Sequence, residues 1–180
     1  AVSAWGTANM RTGGDDVAQA LALMGVKPVW DQQSQRVTGF EVIPANVLGR
    51  PRVDVMFRIS GFFRDAFPAQ VDLLDSAARA VAALDEDDAT NPMAAQFRSD
   101  QAKLTKNGME AEDAARKAGH RVFGSKPGAY GAGLQALIDE NGWDGDEDLA
   151  QAYVAWGGYA YGGGVEGAAE HGLFETRLKA

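Results

Sequence analysis

Val53-Asp54-Val55-Met56-Phe57-Arg58-Ile59-Ser60-Gly61-Phe62-Phe63-Arg64-Asp65-Ala66-Phe67-Pro68 is the stretch whose reading sets the fold. Val53, Val55, Phe57 and Ile59 fall on one face of an alternating strand and Asp54, Met56 and Arg58 on the other, because strand side chains point to opposite faces in turn. Ser60-Gly61 lets the chain turn sharply into helix, and the free N–H groups of that first turn, with Arg58 and Arg64 near them, make an anion-friendly spot. Ligands of open α/β sheets bind at such strand ends. The same residues also have a plainer reading, in which Arg64 and Asp65 pair locally while Phe62, Phe63 and Phe67 fill core.

Upstream, residues 4–14 read as a polar loop ending in glycine, and Arg11-Thr12-Gly13-Gly14 is a second anion-friendly turn. Asp15 and Asp16 suit a helix start; Val17, Ala20, Leu21 and Met24 have helical spacing up to Gly25. Val26–Trp30 and Arg36–Ile43 then pair as a hairpin across a polar turn, with Pro28 placing the first strand at an edge. Downstream, Val71, Leu74, Ala78 and Val81 define a helix from Pro68 to about Leu84, with Asp72, Asp75 and Arg79 on its wet side. Residues 91–120 give two helix patterns split at Lys106-Asn107-Gly108. Arg121–Gly124 is a short strand, followed by a turn-rich loop containing Lys126 and Tyr130, a helix over 134–140 and another from Asp144 to Trp156. Gly157–Gly167 reads as a glycine-rich segment whose Tyr159 and Tyr161, with Tyr130, Tyr153 and Trp156, could stack on a flat ligand or fill core.

The chain has 180 residues, 46% of them hydrophobic and 23% charged, a balance that demands one sizeable core. A net charge of −8, divided evenly along the chain, argues against nucleic acid or anionic lipid as a partner. One local excess stands out: Arg36, Arg50, Arg52, Arg58 and Arg64 face only Glu41 and Asp54. With no cysteine there is neither a disulfide framework nor a thiolate metal site, and no apolar run reaches the length of a membrane span. A cytoplasmic protein is expected.

Most motifs fail on spacing. Gly124-Ser125-Lys126-Pro127-Gly128 lacks the lysine position of a phosphate loop, so ATP hydrolysis by this chain is not expected. Gly131-Ala132-Gly133-Leu134-Gln135-Ala136 lacks the acidic residue that ends a second dinucleotide-binding strand. Asp144, Asp146 and Asp148 start like a calcium loop, but Leu149 and Ala155 stand where its glycine and glutamate belong. Ser60 has Arg58 where a nucleophile elbow needs glycine. His120 and His171 have no partner at metal-ligand spacing.

Five segments read in order carry more. Met10–Asp16, Gly39–Pro44 with Leu48–Val55, Arg58–Pro68, Val122–Gly131 and Ala155–Gly162 together resemble the large subunit of the cobaltochelatase and magnesium-chelatase family over nearly the whole chain. Asp65-Ala66-Phe67-Pro68 and Trp156-Gly157-Gly158-Tyr159 look more like the cobalt (CobN-type) branch than the magnesium branch. The resemblance implies an internal or C-proximal fragment of a much larger enzyme, inactive by itself. That enzyme would insert Co(II), as substrate metal, into the corrinoid hydrogenobyrinic acid a,c-diamide in cobalamin biosynthesis, with ATP hydrolysed by AAA+-type partner subunits. The alternatives are insertion of magnesium into protoporphyrin IX, or a non-catalytic module that docks the ATPase partners. Metal-binding and proton-abstracting residues are expected outside these residues. Arg11, Thr12, Gly13, Gly14, Arg58, Ser60, Gly61, Arg64, Lys126 and Tyr130 are the substrate-binding candidates, since guanidinium groups pair with macrocycle carboxylates. The expected architecture is one α/β domain over 1–180: a small mixed sheet with an edge hairpin, helices packed on it, and the loops after Asn9, Ile59 and Phe123 forming a shared surface.

Overall fold

A computed structural model describes residues 1–179. In chain order its elements are β1 (Val2–Ala4), α1 (Gly6–Thr12), α2 (Asp15–Met24), β2 (Val26–Trp30), β3 (Val37–Val42), α3 (Ala45–Leu48), β4 (Phe57–Ile59), α4 (Gly61–Ala66) and α5 (Pro68–Ala82). The second half adds α6 (Pro92–Lys106), α7 (Ala111–Ala118), β5 (Val122–Gly124), α8 (Gln135–Asp139), α9 (Asp146–Gly157), β6 (Tyr159–Gly162), β7 (Val165–Ala169) and α10 (His171–Lys179).

Five strands form one mixed sheet in the order β1-β4-β5-β6-β7, parallel across the first three and antiparallel across the rest. The expected α/β fold with a mixed sheet is therefore present. The hairpin expected at its edge forms, but β2 and β3 pair antiparallel as a separate two-stranded sheet, and the hairpin at the edge is β6–β7.

The central strand is shorter than its alternation implies. Only Phe57–Ile59 pair as strand, and Val53 is exposed, its N–H donating instead to the Leu23 carbonyl. The two-face reading nonetheless holds for packing. Val55, Phe57 and Ile59 join the larger core with Leu21, Leu74 and Val81, while Met56 packs on the opposite face with Phe123, Ala160 and Phe174. A sheet covered by helices on both faces buries both sets of side chains, so Arg58 is buried too.

Three further differences have physical causes. Residues 4–14, read as loop, hold the end of β1 and all of α1, a helix of small and polar residues with no apolar period that is held by packing on α4. Gly157–Gly167 is not a loose ligand edge: Tyr161 is buried with its hydroxyl donating to the Ser125 carbonyl at 2.5 Å, and Gly163–Gly164 are the hairpin turn, entered through Gly162, all three at positive φ. Asp75, assigned to the wet face, is 3% exposed. It pairs with Arg79 at 2.8 Å under that turn, where a side chain on Gly162 would collide with it.

Candidate functional site

Because β1, β4 and β5 run parallel, their carboxyl ends share one edge of the sheet. Ser60 organises it. Its Oγ accepts the N–H of Phe63 at 3.0 Å, capping α4, and the N–H of Gly6 at 3.2 Å at the start of α1. Gly6 must be glycine for this approach, since a Cβ there would lie 2.9 Å from the Phe63 nitrogen and inside the Phe62 ring. A Cβ on Gly61 would sit 2.6 Å from the Ala129 carbonyl oxygen, so the two turns touch backbone to backbone.

Arg64 ties the edge together. Its Nε and Nη2 donate to the two Asp65 carboxylate oxygens at 2.7 and 3.1 Å. Nη1 reaches the carbonyls of Ser125, Lys126 and Ala129 at 3.0–3.3 Å and the Ser125 hydroxyl at 3.3 Å. Tyr130 lies under the guanidinium, 5.6 Å from its centroid, and its hydroxyl donates to Asp65 at 2.5 Å. Hydrogen bonds first from Arg64 and then from Tyr130 hold the Asp65 carboxyl below its ordinary pKa. The plainer reading of Arg64 and Asp65 as a local pair thus describes their geometry, and every donor nitrogen of Arg64 has an internal partner.

Arg58 differs. It is 8% exposed; Nη1 donates to the Ile59 carbonyl, Nε has no partner among the described residues, and the guanidinium lies over the Tyr153 ring at 5.6 Å and close against Gly157. Burial lowers its pKa, with Tyr153 opposing. Lys126 extends into solvent nearby, its carbonyl but not its ammonium used in the loop. Trp5, Phe62 and Tyr130, at 56, 40 and 58% exposure, are open aromatic rings around this edge. Neither Trp5 nor Asp65 was singled out from sequence as a functional residue, and only the convergence of three strand ends brings them together.

The other four candidates lie elsewhere. Arg11 and Thr12 end α1 and Gly13 and Gly14 follow it, about 10 Å along a helix of seven residues. The Thr12 hydroxyl accepts the N–H groups of Gly14 and Asp15, so it opens α2, and Arg11 is exposed. The shared surface expected of the three loops is thus two surfaces. Gly13 and Gly14 line a groove of about 960 Å³ closed by Trp30, Phe40, Phe67 and Gln70, with Arg36 on its rim. The Asn9 amide donates to Gln70 at 2.9 Å beneath it.

The arginine-rich stretch is not a cationic face. Arg50 donates to the Ala22, Leu23 and Pro51 carbonyls; Arg52 pairs with Glu86 and reaches the Met24, Gly25 and Ile43 carbonyls. These guanidinium donors tie the end of α2 to the segments after it, adding to the backbone N–H groups that the Ala22, Leu23 and Gly25 carbonyls already accept. His120 is fully buried beside Arg79, its pKa lowered to about 3 by burial first and by neighbouring arginines and Lys117 second. His171 sets its ring edge-on to Tyr159 and bonds the Ala155 carbonyl. No group of three or more His, Asp or Glu residues is placed to hold a metal among the described residues. No helix there is long and apolar enough to cross a membrane.

Residues 1–180 match the family described as CobN/Magnesium Chelatase. The chain is 65% identical over 178 residues to the aerobic cobaltochelatase subunit CobN of Sinorhizobium sp, covering 99% of this chain and 14% of that protein. It is 39% identical over 160 residues to the H subunit of magnesium chelatase from Rhodobacter capsulatus, 88% of this chain and 13% of that protein. Among solved structures, the catalytic subunit of cobaltochelatase from Mycobacterium tuberculosis superposes with a TM-score of 0.89 at 50% identity, over 98% of this chain and 14% of that one.

Proposed function

This chain belongs to the CobN/magnesium chelatase family, and from that premise we propose that it works as one part of a cobalt-inserting large subunit. The observation that carries the cobalt reading is the gap between 65% identity to a cobaltochelatase subunit and 39% to a magnesium-chelatase subunit. The chain spans about one-seventh of those relatives' length, so the reaction is that of the larger protein: ATP-dependent insertion of Co(II) into hydrogenobyrinic acid a,c-diamide, with AAA+-type partners hydrolysing ATP. Trp5, Phe62 and Tyr130 supply flat apolar contact for a macrocycle at the carboxyl edge of the sheet, and Arg58 and Lys126 supply charge there. Arg64 holds the loop that presents Tyr130 instead of meeting substrate itself.

The test is reconstitution of the full-length protein with ATPase partners, offering Co(II) or Mg(II) and the corrinoid or protoporphyrin IX in turn. Cobalt insertion into the corrinoid is expected; magnesium insertion into the porphyrin would move the chain to the other branch. The docking alternative draws on one observation, the apolar groove beside the β2–β3 hairpin with Trp30 and Arg36 open at its rim. It predicts that Trp30→Ala weakens ATPase-partner binding and leaves corrinoid affinity unchanged.

A further inference from the structure

Five arginines are buried: Arg52, Arg58, Arg64, Arg121 and Arg177. Four of them hold a carboxylate, Glu86, Asp65, Asp54 and Asp100, at 2.6–2.7 Å. Arg58 holds none among the described residues, and its Nε is a buried donor without an acceptor. A buried cation without a counter-charge is a large desolvation cost that a folded chain ordinarily avoids.

The surroundings only partly offset it. The C-terminal end of α9 lies against the guanidinium, but the Val154 and Ala155 carbonyls there are already taken by the Gly158 N–H and the His171 ring. The Tyr153 face contributes a cation–π contact at 5.6 Å, weaker than an ion pair in a desolvated place. Gly157 keeps the site tight: a Cβ there would lie 2.9 Å from Nε and 3.2 Å from Nη2. The side chain is therefore packed closely at the carboxyl edge of β4, its remaining nitrogen, Nη2, having no hydrogen-bond partner among the described residues.

We propose that Arg58 is the receptor for a carboxylate that comes from outside these residues and docks at the carboxyl edge between β4 and the end of α9. The carboxylate belongs either to a diffusible ligand or to an acidic side chain elsewhere in the full-length protein. The chemistry is the same in both cases, and the assignment does not require the cobalt reading, so either can fail without the other.

Hydrogen–deuterium exchange on the full-length protein tests it, comparing sodium acetate with sodium chloride at matched ionic strength in wild type, Arg58→Met and Tyr153→Leu. If the carboxylate is diffusible, acetate slows exchange across residues 153–158 in wild type by about threefold or more, as mass action requires, and Arg58→Met abolishes the response. If it belongs to the protein, acetate has no effect, Arg58→Met speeds exchange across residues 57–61 and 153–158, and the acceleration persists in the Tyr153→Leu background. An Arg58→Met effect that vanishes in that background, or no effect at all, with no acetate response, overturns the proposal. Those outcomes leave Arg58 a packing partner of Tyr153.

Discussion

The carboxyl edge of the sheet is a wired surface, and the groove beyond α1 and α4 is an open one. At the edge, Ser60, Arg64, Asp65, Ser125 and Tyr130 are joined by hydrogen bonds across strand ends, and Gly61 packs against the Ala129 carbonyl. Past the C-terminal ends of α1 and α4, Gly13, Gly14 and Phe67 open onto a groove whose outer wall is a lone two-stranded hairpin. The difference teaches where rigidity comes from. The sheet edge brings together backbone groups from three segments distant in sequence, and each needs a partner. The groove is walled by apolar side chains that pack without directional demands. Substitutions at the edge should therefore cost stability, and substitutions in the groove should cost mainly binding.

The largest effect is expected for Arg64→Ala, which takes the guanidinium from Asp65 and removes one donor from each of three carbonyls of the 125–129 turn. A loss of about 3 kcal/mol in denaturant unfolding follows from breaking a buried, charge-assisted network. Arg64→Lys should recover less than half, because lysine cannot bridge a carboxylate and several carbonyls together. A loss below about 0.5 kcal/mol would place Arg64 outside the wired set.

Gly61→Ala comes next. Its Cβ would press on the Ala129 carbonyl oxygen, and about 1–3 kcal/mol is the usual range for such overpacking. The contrast is Gly13→Ala, where a Cβ meets nothing and only the positive φ of 75° is strained, at roughly 1 kcal/mol. Equal costs at the two glycines would erase the distinction drawn between the surfaces.

Acid should loosen the edge and leave the groove alone. The folded-state pKa of Asp65 is depressed, so its contribution is present above the ordinary carboxylate value and disappears as pH falls through the lower folded value. Tyr130 and its loop are expected to gain mobility in that window, read by tyrosine fluorescence, and Asp65→Asn should flatten the profile. A profile identical in wild type and Asp65→Asn would remove Asp65 from the network.

The smallest stability effect belongs to Trp30→Ala, at 55% exposure on the groove wall. A change within about 0.5 kcal/mol is expected in unfolding. A loss of several kcal/mol would show instead that the hairpin is part of the core.

Much of this was legible in the sequence. Alternation around Phe57, the 3.6-residue period of α5, Gly25 as a helix stop and the turn signal in the β2–β3 hairpin are local chemistry acting over a few residues. So is the pairing of Arg64 with its neighbour Asp65. The five ordered motifs also pointed to the right family. What tertiary structure alone decided was partnership at a distance. It made β1 a strand by pairing Val2 with Phe57, and it directed Arg50 and Arg52 onto backbone carbonyls of the α2 end. It set the Arg11–Gly14 turn a helix length from Ser60, and it left Arg58 the buried arginine without a carboxylate among the described residues. The physical reason is that period and turn chemistry report the conformation of a segment, whereas a polar group's fate depends on which donor or acceptor the rest of the chain delivers to it.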